Sequence, residues 1–227
     1  MKNAIVTGAA GNLGQAVVKK FLHEGYKVVG TVHRETSAVE ANSRYRQVVI
    51  DLGDEDKVSR FVKSITEELG SLDAVVLTVG GFAMGNLENT SSVDLGKQYK
   101  LNFETAYHVA RPVFLKMMEQ GSGRIFFIGS RPGLEVKSGK SMVAYSLAKS
   151  LLFRLAELMN EEAGKSDVVV SVVVPSTIDT PDNRTSMPGA DFNKWVTPEA
   201  IADVIHFYCS GEGQVLREPV LKVFGKG

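Results

Sequence analysis

Features that mark a secreted, membrane-bound or nucleic-acid-binding protein are scarce in this sequence. It contains a single cysteine, Cys209, which excludes an internal disulfide and favours a reducing compartment. Its 26 basic and 26 acidic side chains cancel, so the net charge gives no reason to expect nucleic acid or an anionic membrane as a partner. No stretch approaches the roughly 20 apolar residues of a membrane helix, and Met1 leads into strand-like residues without a signal-peptide pattern. We therefore expect a soluble, cytoplasmic protein.

Metal ligands and internal boundaries are scarce as well. His23, His108 and His206 lie in segments of helical period with no partners at metal-ligand spacing, so no metal site is expected. The chain has no repeat, no low-complexity tract and no linker rich in proline, glycine or serine. A length of 227 residues suits one layered core. We expect a single domain over residues 1–227.

Short β-branched segments alternate along the chain with longer segments of helical period. Strands are predicted at 4–6, 27–32, 47–50, 74–78, 124–128, 168–174 and 220–224, and helices at 13–23, 54–69, 93–118, 142–163 and 197–210. The strands are apolar on both faces, which is typical of a parallel sheet covered by helices on each side. The predicted fold class is α/β, a single-domain, Rossmann-like, doubly wound parallel sheet with helices on both faces. Ligands of such sheets bind beyond the carboxyl ends of the strands.

A glycine-rich turn follows the first predicted strand. Gly8, Gly11 and Gly14 let the backbone approach a pyrophosphate, whose charge is favoured by the N–H groups and the dipole of the helix that begins at Asn12 and Leu13. Glycine triplets are common in α/β proteins, so a turn without a ligand is the alternative. The turn predicts a dinucleotide site built on Gly8, Asn12, Leu13 and Gly14.

The end of the second strand usually selects the cofactor. An acidic residue there binds the ribose 2′-hydroxyl of NAD, whereas a basic residue accepts the 2′-phosphate of NADP. Here His33 and Arg34 follow the strand and no carboxylate is present, which favours NADP and leaves NAD possible. The alternative is that both are solvated loop residues. Asp51, after the third strand, could contact adenine or cap the helix that opens at Asp54.

Four polar residues predict the chemistry. Tyr145 and Lys149 are four residues apart in a predicted helix and share one face, where an ammonium would lower the pKa of the phenol and suit it to general acid–base catalysis. Such a pair is also common on surface helices. Ser130 follows the strand at 124–128 and could hold a substrate oxygen. Asn102 is an amide within a predicted helix, which a buried water, a backbone carbonyl partner or surface exposure would explain.

Together these residues resemble the short-chain dehydrogenase/reductase family over nearly the whole chain. The resemblance implies that Asn102, Ser130, Tyr145 and Lys149 form a catalytic tetrad, in which the asparagine anchors a water relay behind the lysine. It also implies that Gly80, Tyr145, Lys149 and the segment 175–180 contact the cofactor, through Pro175, Ile178 and Thr180 in that segment. A homodimer or homotetramer is implied as well, with contacts through the helices at 93–118 and 142–163.

Two departures from the common family pattern indicate an unusual branch. The glycine spacing differs from T-G-x-x-x-G-x-G, and the sequence around Thr78 and Gly80 replaces the usual N-N-A-G motif, so the structural asparagine of that motif is missing. The glycine turn, the Gly81–Phe82 pair and the segment 175–195 resemble quinoid dihydropteridine reductase. Val32 and Ser130 differ from that reductase and favour a carbonyl reductase that uses NADPH.

The segment at about 181–196 is predicted to form a lid over the substrate. It is polar, interrupted by proline and rich enough in large side chains to cover a planar molecule. Met187, Phe192 and Trp195 could contact the substrate, or they could pin the segment to its own domain.

The expected function is reduction of a small-molecule carbonyl, or of a pterin-like quinonoid imine, by hydride transfer from NADP(H). Tyr145 would serve as general acid or base, Lys149 would lower its pKa and bind ribose, and Ser130 would orient the substrate. Two alternatives stay open at this point. The glycine spacing is shared with epimerases and dehydratases of the same superfamily, although the chain after Thr180 is short for that branch. A binding protein that senses NADP without turnover is the other, and retention of Ser130, Tyr145 and Lys149 argues against it.

Overall fold

A computed structural model describes residues 1–39 and 42–226 of the chain. Its centre is a seven-stranded sheet in the order β3-β2-β1-β4-β5-β6-β7, and every neighbouring pair is parallel. The strands are β1 Asn3–Thr7, β2 Lys27–Val32, β3 Tyr45–Val49, β4 Ala74–Leu77, β5 Ser122–Ile128, β6 Asp167–Pro175 and β7 Val220–Val223. The order turns back between β1 and β4, which is the switch point at which ligands bind in sheets of this kind.

Helices connect the strands and cover both faces of the sheet. They are α1 Asn12–His23, α2 Glu55–Leu69, α3 Ser92–Tyr99, α4 Thr105–Gln120, α5 Arg131–Leu134, α6 Val136–Gly139, α7 Val143–Ala163, α8 Pro181–Ser186 and α9 Pro198–Phe207. Local sequence explains several of the ends. Ser91 and Asp94 form a capping box at the start of α3, and Gly121 ends α4 with a φ of +82°.

Two hydrophobic cores lie on opposite faces of the sheet. One is formed by α2, α4 and α7 against alternate strand residues, with Phe127 and Val170 fully buried between them. The other is formed by α1 and α9 against the remaining strand residues, with Phe126 and Ile201 at its centre. Because both faces of each inner strand are covered, the strands read as continuous apolar runs. The prediction of a single-domain, doubly wound α/β fold with helices on both faces is confirmed.

The helical region predicted over 93–118 is confirmed, but its interruption was not predicted. The structure divides it into α3, a π-helical turn at Lys100–Glu104 and α4. The apolar period of 3.6 residues continues on both sides of such a turn, so periodicity does not reveal the extra residue. The predicted helix at 197–210 is also too long, because α9 ends at Phe207.

The fold brings the functional candidates to one edge of the sheet. The glycine turn follows β1, Gly80 follows β4, Ser130 follows β5 and the segment at 175–180 follows β6. Helix α7 runs back along the sheet and carries Tyr145 and Lys149 in its first two turns. Among the described residues, no helix is both long and apolar enough to cross a membrane.

Candidate active site

The glycine turn after β1 brings the start of α1 close to the sheet. Gly8 has a φ of +63°, which side chains with a Cβ rarely adopt. The Gly11 N–H donates to the Gly8 carbonyl at 2.9 Å, and a Cβ on Gly14 would collide with the same carbonyl oxygen. Asn12 and Leu13 open α1, and its N-cap residue makes no side-chain hydrogen bond to the first turn. The N–H groups and dipole of this helix start therefore suit a pyrophosphate.

Two exposed basic residues follow β2. Val32 is buried at the end of the strand, and His33 and Arg34 lie on the bend beyond it. Because β2 pairs with β1, this bend lies beside the glycine turn at the same edge of the sheet. The guanidinium group of Arg34 at this place suits a phosphate oxygen better than a ribose hydroxyl.

Asp51 lies after β3 and is exposed. Its Oδ1 accepts the Gly53 N–H at 2.9 Å. The alternative role of Asp51 as the cap of α2 is wrong, because Asp54 precedes the first helical residue and accepts the Lys57 N–H at 3.0 Å. An adenine contact by Asp51 stays a prediction.

Ser130 is held at the end of β5 in extended backbone. It is 6% exposed, and its Oγ accepts the Gly133 N–H at 3.2 Å and so caps α5. It also lies close enough to Tyr145 for its hydroxyl to lower the pKa of the phenol. The hydroxyl is therefore fixed between the start of α5 and the helix α7 that carries the phenol.

Lys149 is buried against β5. It is 5% exposed, and its Nζ donates to the carbonyl oxygen of Ile128 at 2.8 Å. A Cβ on Gly133 would lie 2.8 Å from the Cβ of Lys149, so a glycine is required where α5 meets α7. Burial lowers the pKa of Lys149 to about 8, because a charged amine is poorly solvated there.

Tyr145 lies one helical turn before Lys149. Burial raises the pKa of its phenol, and the hydrogen bond with Ser130 offsets part of that rise. Lys149 is not among the causes of this shift, so its expected lowering of the Tyr145 pKa stays a prediction. The amine is turned toward the carbonyl of Ile128, and desolvation is the largest cause of the shift in both groups. Tyr145 consequently keeps its proton at neutral pH.

Asn102 is fully buried at the middle of the π-helical turn. Its Oδ1 accepts the Gly81 N–H at 3.0 Å, and its Nδ2 donates to the Gly81 carbonyl at 2.9 Å and to Gln98 Oε1 at 2.8 Å. The prediction that a backbone carbonyl partner explains the amide at position 102 is confirmed. The alternative of surface exposure is wrong. Asn102 holds the turn that follows β4.

Glycine is required at position 80 in the same turn. A Cβ on Gly80 would lie 2.7 Å from Asn102 Oδ1 and 3.0 Å from Lys149 Nζ, so both polar groups border this position. The asparagine of the N-N-A-G motif is replaced here by Thr78, whose Oγ1 donates to the Thr7 carbonyl at 2.6 Å. A threonine thereby links β4 to β1.

The chain after β6 leads into the segment predicted to be a lid. Pro175 ends the strand, and the Oγ of Ser176 is buried without a hydrogen-bond partner among the described residues. Ile178 forms a parallel bridge with Val196, which closes the base of the segment, and Thr180 caps α8 with its side chain. These residues lie at the same edge of the sheet as Gly80 and Ser130.

The large side chains of this segment pack mainly on one another. The rings of Phe192 and Trp195 have their centroids 4.7 Å apart, and the guanidinium of Arg184 lies 4.8 Å from the Phe192 ring. Arg184 also binds both carboxylate oxygens of Asp179, at 2.5 and 2.7 Å. Met187 is 40% exposed. Packing within the segment is therefore observed for Phe192 and Trp195, and contact with a substrate stays a prediction.

Sequence reasoning missed two residues of the site. Phe82 is 62% exposed, and its ring lies edge-on to Tyr145 with the centroids 5.3 Å apart. The aromatic residue that follows two glycines in the sequence could have indicated Phe82 as a site residue. Gln98 pairs with Asn102 four residues on, and the i, i+4 spacing of two amides could have indicated it. Within the described ranges, no group of three or more His, Cys, Asp or Glu side chains is arranged to hold a metal ion.

A family model and curated relatives match this chain over most of its length. The model of the short chain dehydrogenase family matches residues 2–190. The chain is 29% identical over 189 residues to an acetoacetyl-CoA reductase of an Acinetobacter strain, covering 79% of this chain and 75% of that protein. It is 24% identical over 237 residues to a 3-oxoacyl-acyl-carrier-protein reductase of Buchnera aphidicola, covering 99% and 96%.

Solved structures are similar over nearly their whole length. The structure of gox2181 has a TM-score of 0.89 at 25% identity and covers 98% of this chain and 93% of that one. ElxO, solved with NADP bound, has a TM-score of 0.90 at 21% identity and covers 99% and 97%. The chain belongs to the short-chain dehydrogenase/reductase family and is an oxidoreductase of that family.

Proposed function

We propose that this enzyme reduces the carbonyl group of a small molecule with NADPH, using Tyr145 as the proton donor. One observation carries the proposal: Ser130, which follows β5, is close enough to interact with the Tyr145 phenol, and the buried amine of Lys149 lies one helical turn away. All three stand at the carboxyl edge of the sheet, beside the glycine turn. This arrangement supports proton transfer to an oxygen atom next to a bound dinucleotide.

The cofactor fits the residues that surround this edge. The pyrophosphate would lie on Gly8, Asn12, Leu13 and Gly14, the 2′-phosphate on His33 and Arg34, adenine near Asp51, and the nicotinamide and its ribose near Gly80, Tyr145, Lys149, Pro175, Ile178 and Thr180. The start of α1, which lacks a side-chain cap, and the buried hydroxyl of Ser176, which lacks a partner in the described part of the chain, support this fit. When bound, NADPH supplies the hydride. Arg34 favours NADP(H), the cofactor also bound in the similar structure of ElxO.

Orientation of the substrate, proton transfer and support of the site are assigned to different side chains. Ser130 donates a hydrogen bond to the carbonyl oxygen and orients it toward the phenol. Tyr145, whose pKa burial raises, transfers its proton to that oxygen as negative charge develops on it, so that an alcohol is formed. Lys149 in its ammonium form stabilises the tyrosinate left behind and binds ribose, and Asn102 holds the turn at Gly80 beside it.

The substrate class is narrowed by the apolar side chains at the mouth of the site. Phe82 offers an exposed ring next to Tyr145, and the Phe192–Trp195 pair lies in the proposed lid at 181–196. These groups favour a substrate with an apolar or flat portion beside its carbonyl. The two named relatives reduce 3-oxoacyl thioesters, which makes such thioesters the first compounds to test. A quinonoid dihydropterin, suggested by the resemblance at 175–195, is the second.

The test is oxidation of NADPH, followed by absorbance, with 3-oxoacyl thioesters, aryl ketones and a quinonoid dihydropterin. With the best substrate, Tyr145→Phe lowers kcat by about a thousandfold, within the range for loss of a general acid. The affinity for NADPH falls by less than about tenfold, since at most one hydrogen bond to the cofactor is lost. Tyr208→Phe, a tyrosine next to the end of α9, is the matched control and keeps full activity. A Tyr145→Phe rate within threefold of the wild type contradicts the proposed mechanism.

Two other results would replace the proposal. Tight NADPH binding without turnover of any carbonyl supports a protein that senses the cofactor. A product isomerised or dehydrated with no net oxidation of NADPH supports an epimerase or dehydratase. The product is identified by mass and by NMR in each case.

We also propose that the enzyme is a homo-oligomer assembled through α4 and α7, as the family resemblance implies. Leu147, Leu151 and Leu158 are exposed on α7, opposite its buried face, and Tyr107 and Leu115 are exposed on α4. Apolar side chains lined up in this way mark a contact surface. A monomer at micromolar concentration in sedimentation velocity contradicts this proposal.

A further inference from the structure

Gln98 is a buried amide that the proposed chemistry does not use. It lies near the end of α3 and is 9% exposed, although it is a long polar side chain that usually stays in solvent. Its Oε1 accepts a hydrogen bond from Asn102 Nδ2 at 2.8 Å. The π-helical turn between α3 and α4 has Asn102 at its centre, so the bond links the end of α3 to that turn.

The bond to Gln98 completes the hydrogen bonding of the Asn102 amide. Oδ1 accepts the Gly81 N–H, one hydrogen of Nδ2 is donated to the Gly81 carbonyl, and the other is donated to Gln98. An asparagine amide has two N–H donors, and both are therefore paired in a fully buried place. Removal of the Gln98 oxygen would leave one of these donors buried without a partner, which is costly.

The turn that this amide holds borders the amine of Lys149. A Cβ on Gly80 would lie 2.7 Å from Asn102 Oδ1 and 3.0 Å from Lys149 Nζ. The asparagine that usually fixes this turn in the family is absent, and Thr78 holds only the strand side of it through Thr7. The other side, at Gly81, depends on Asn102.

We propose that Gln98 is a positioning residue for the reaction, because it holds the Asn102 amide on Gly81 and thereby keeps the turn at Gly80 against Lys149. The set Gln98, Asn102 and Gly81 is called the amide clamp. The clamp compensates for the missing asparagine after β4. This inference rests on the proposed function, since it assigns the clamp to the placement of the proposed catalytic amine.

The test compares three variants by steady-state kinetics and by exchange of the Asn102 side-chain amide in 15N-labelled protein. Gln98→Met keeps the length of the side chain and removes the acceptor. It lowers kcat about tenfold, leaves KM for NADPH and for the carbonyl within twofold, and speeds amide exchange about tenfold, as expected when one buried donor loses its partner. Gln98→Glu keeps an acceptor oxygen at the same place and restores kcat to within threefold of the wild type.

Thr66→Val separates positioning from general stability. Thr66 is 7% exposed on α2 and donates to the carbonyl of Val62 at 2.9 Å, so this variant also loses a buried hydrogen bond away from the site. It lowers the melting temperature and leaves kcat and the exchange at Asn102 unchanged.

Gln98→Met with kcat within twofold of the wild type, or with unchanged exchange at Asn102, overturns the inference. If the wild type itself has no turnover, the proposed function has failed. Amide exchange still tests the clamp in that case, because it needs no substrate.

Discussion

The residues proposed for chemistry and those proposed for recognition are held in different ways. The catalytic cluster, formed by Asn102, Ser130, Tyr145 and Lys149, is largely buried. Hydrogen bonds join Asn102, Ser130 and Lys149 to groups from the turn after β4, α5 and β5. The recognition rim, formed by His33, Arg34, Asp51 and the segment 181–196, is mostly exposed. Its contacts are local, such as Asp51 with Gly53 and Arg184 with Asp179.

This difference follows from what each region has to do. A proton transfer requires groups fixed within a few tenths of an ångström, and buried partners from several elements provide that. Selection of a cofactor or substrate depends on a few charges and shapes that loops can vary without disturbing the sheet. Changes in the cluster should therefore lower turnover, whereas changes in the rim should alter KM and selectivity.

The largest effect of a change in conditions should come from the titration of Lys149. Its pKa is about 8, and its ammonium form is the active one, so the active fraction falls tenfold for each pH unit above that value. We expect kcat/KM to fall about fiftyfold between pH 8 and pH 10. Initial rates over pH 6–10 measure this. The Lys149→Arg variant stays charged over this pH range, so it is slower than the wild type but its kcat/KM does not fall between pH 8 and pH 10.

Stability and activity should change in opposite directions as the pH rises above 8, which distinguishes the titration of Lys149 from unfolding. The pKa of Lys149 is lowered on folding, so burial of the charge destabilises the fold below pH 8, and that penalty is relieved as the pH rises toward 10.5. In this window the contribution of Lys149 to stability increases while activity falls. A kcat/KM that is flat to pH 9.5 contradicts the assignment, as does a fall in melting temperature that parallels the activity.

A smaller effect is expected at the rim, where Arg34 is proposed to bind the 2′-phosphate. Arg34→Ser removes a charge-assisted hydrogen bond and should raise KM for NADPH about tenfold, with KM for NADH and kcat unchanged. Arg44→Ser is the matched control, because Arg44 lies near Gly25, at the opposite end of the β2–β3 pair. Equal changes in KM for NADPH and NADH would mean that Arg34 does not bind the 2′-phosphate.

The positions of residues in both regions were predictable where they depend on regular elements, for physical reasons. Strand β2 was predicted at the bounds the structure has, and a spacing of four residues is sufficient to place Tyr145 and Lys149 on one face of α7. Elements of regular period carry these residues, so pattern alone positions them. The edge of a parallel sheet then brings Ser130 near them.

Features that depend on contacts between distant segments were not predictable in this way. The clamp at Gly81 joins positions 21 residues apart, and the π-helical turn that presents Asn102 leaves the apolar period intact. The rise in the pKa of Tyr145 on burial was not predicted, because charge proximity can be read from spacing but desolvation cannot.

The smallest effect is expected in the proposed lid, where an ion pair joins Arg184 to Asp179. Both oxygens of the carboxylate are bound, and Arg184 also lies over Phe192, so the pair links the base of the segment to its aromatic side chains. Asp179→Asn keeps the shape and removes the charge. Because the side chain of Arg184 is 52% exposed, the pair is worth little, and we expect KM for the carbonyl to rise about threefold with kcat unchanged.

Limited proteolysis measures the same change without a substrate. Cleavage within 181–196 should be about threefold faster in Asp179→Asn, since the loss of a partly exposed ion pair shifts local opening only slightly. Glu157→Gln makes the same change of charge in a more exposed pair with Arg154 on α7 and is the control. If the control changes KM equally, the effect is one of net charge. If Asp179→Asn instead lowers kcat tenfold at constant KM, Asp179 belongs with the catalytic cluster, and the division between the two regions is drawn in the wrong place.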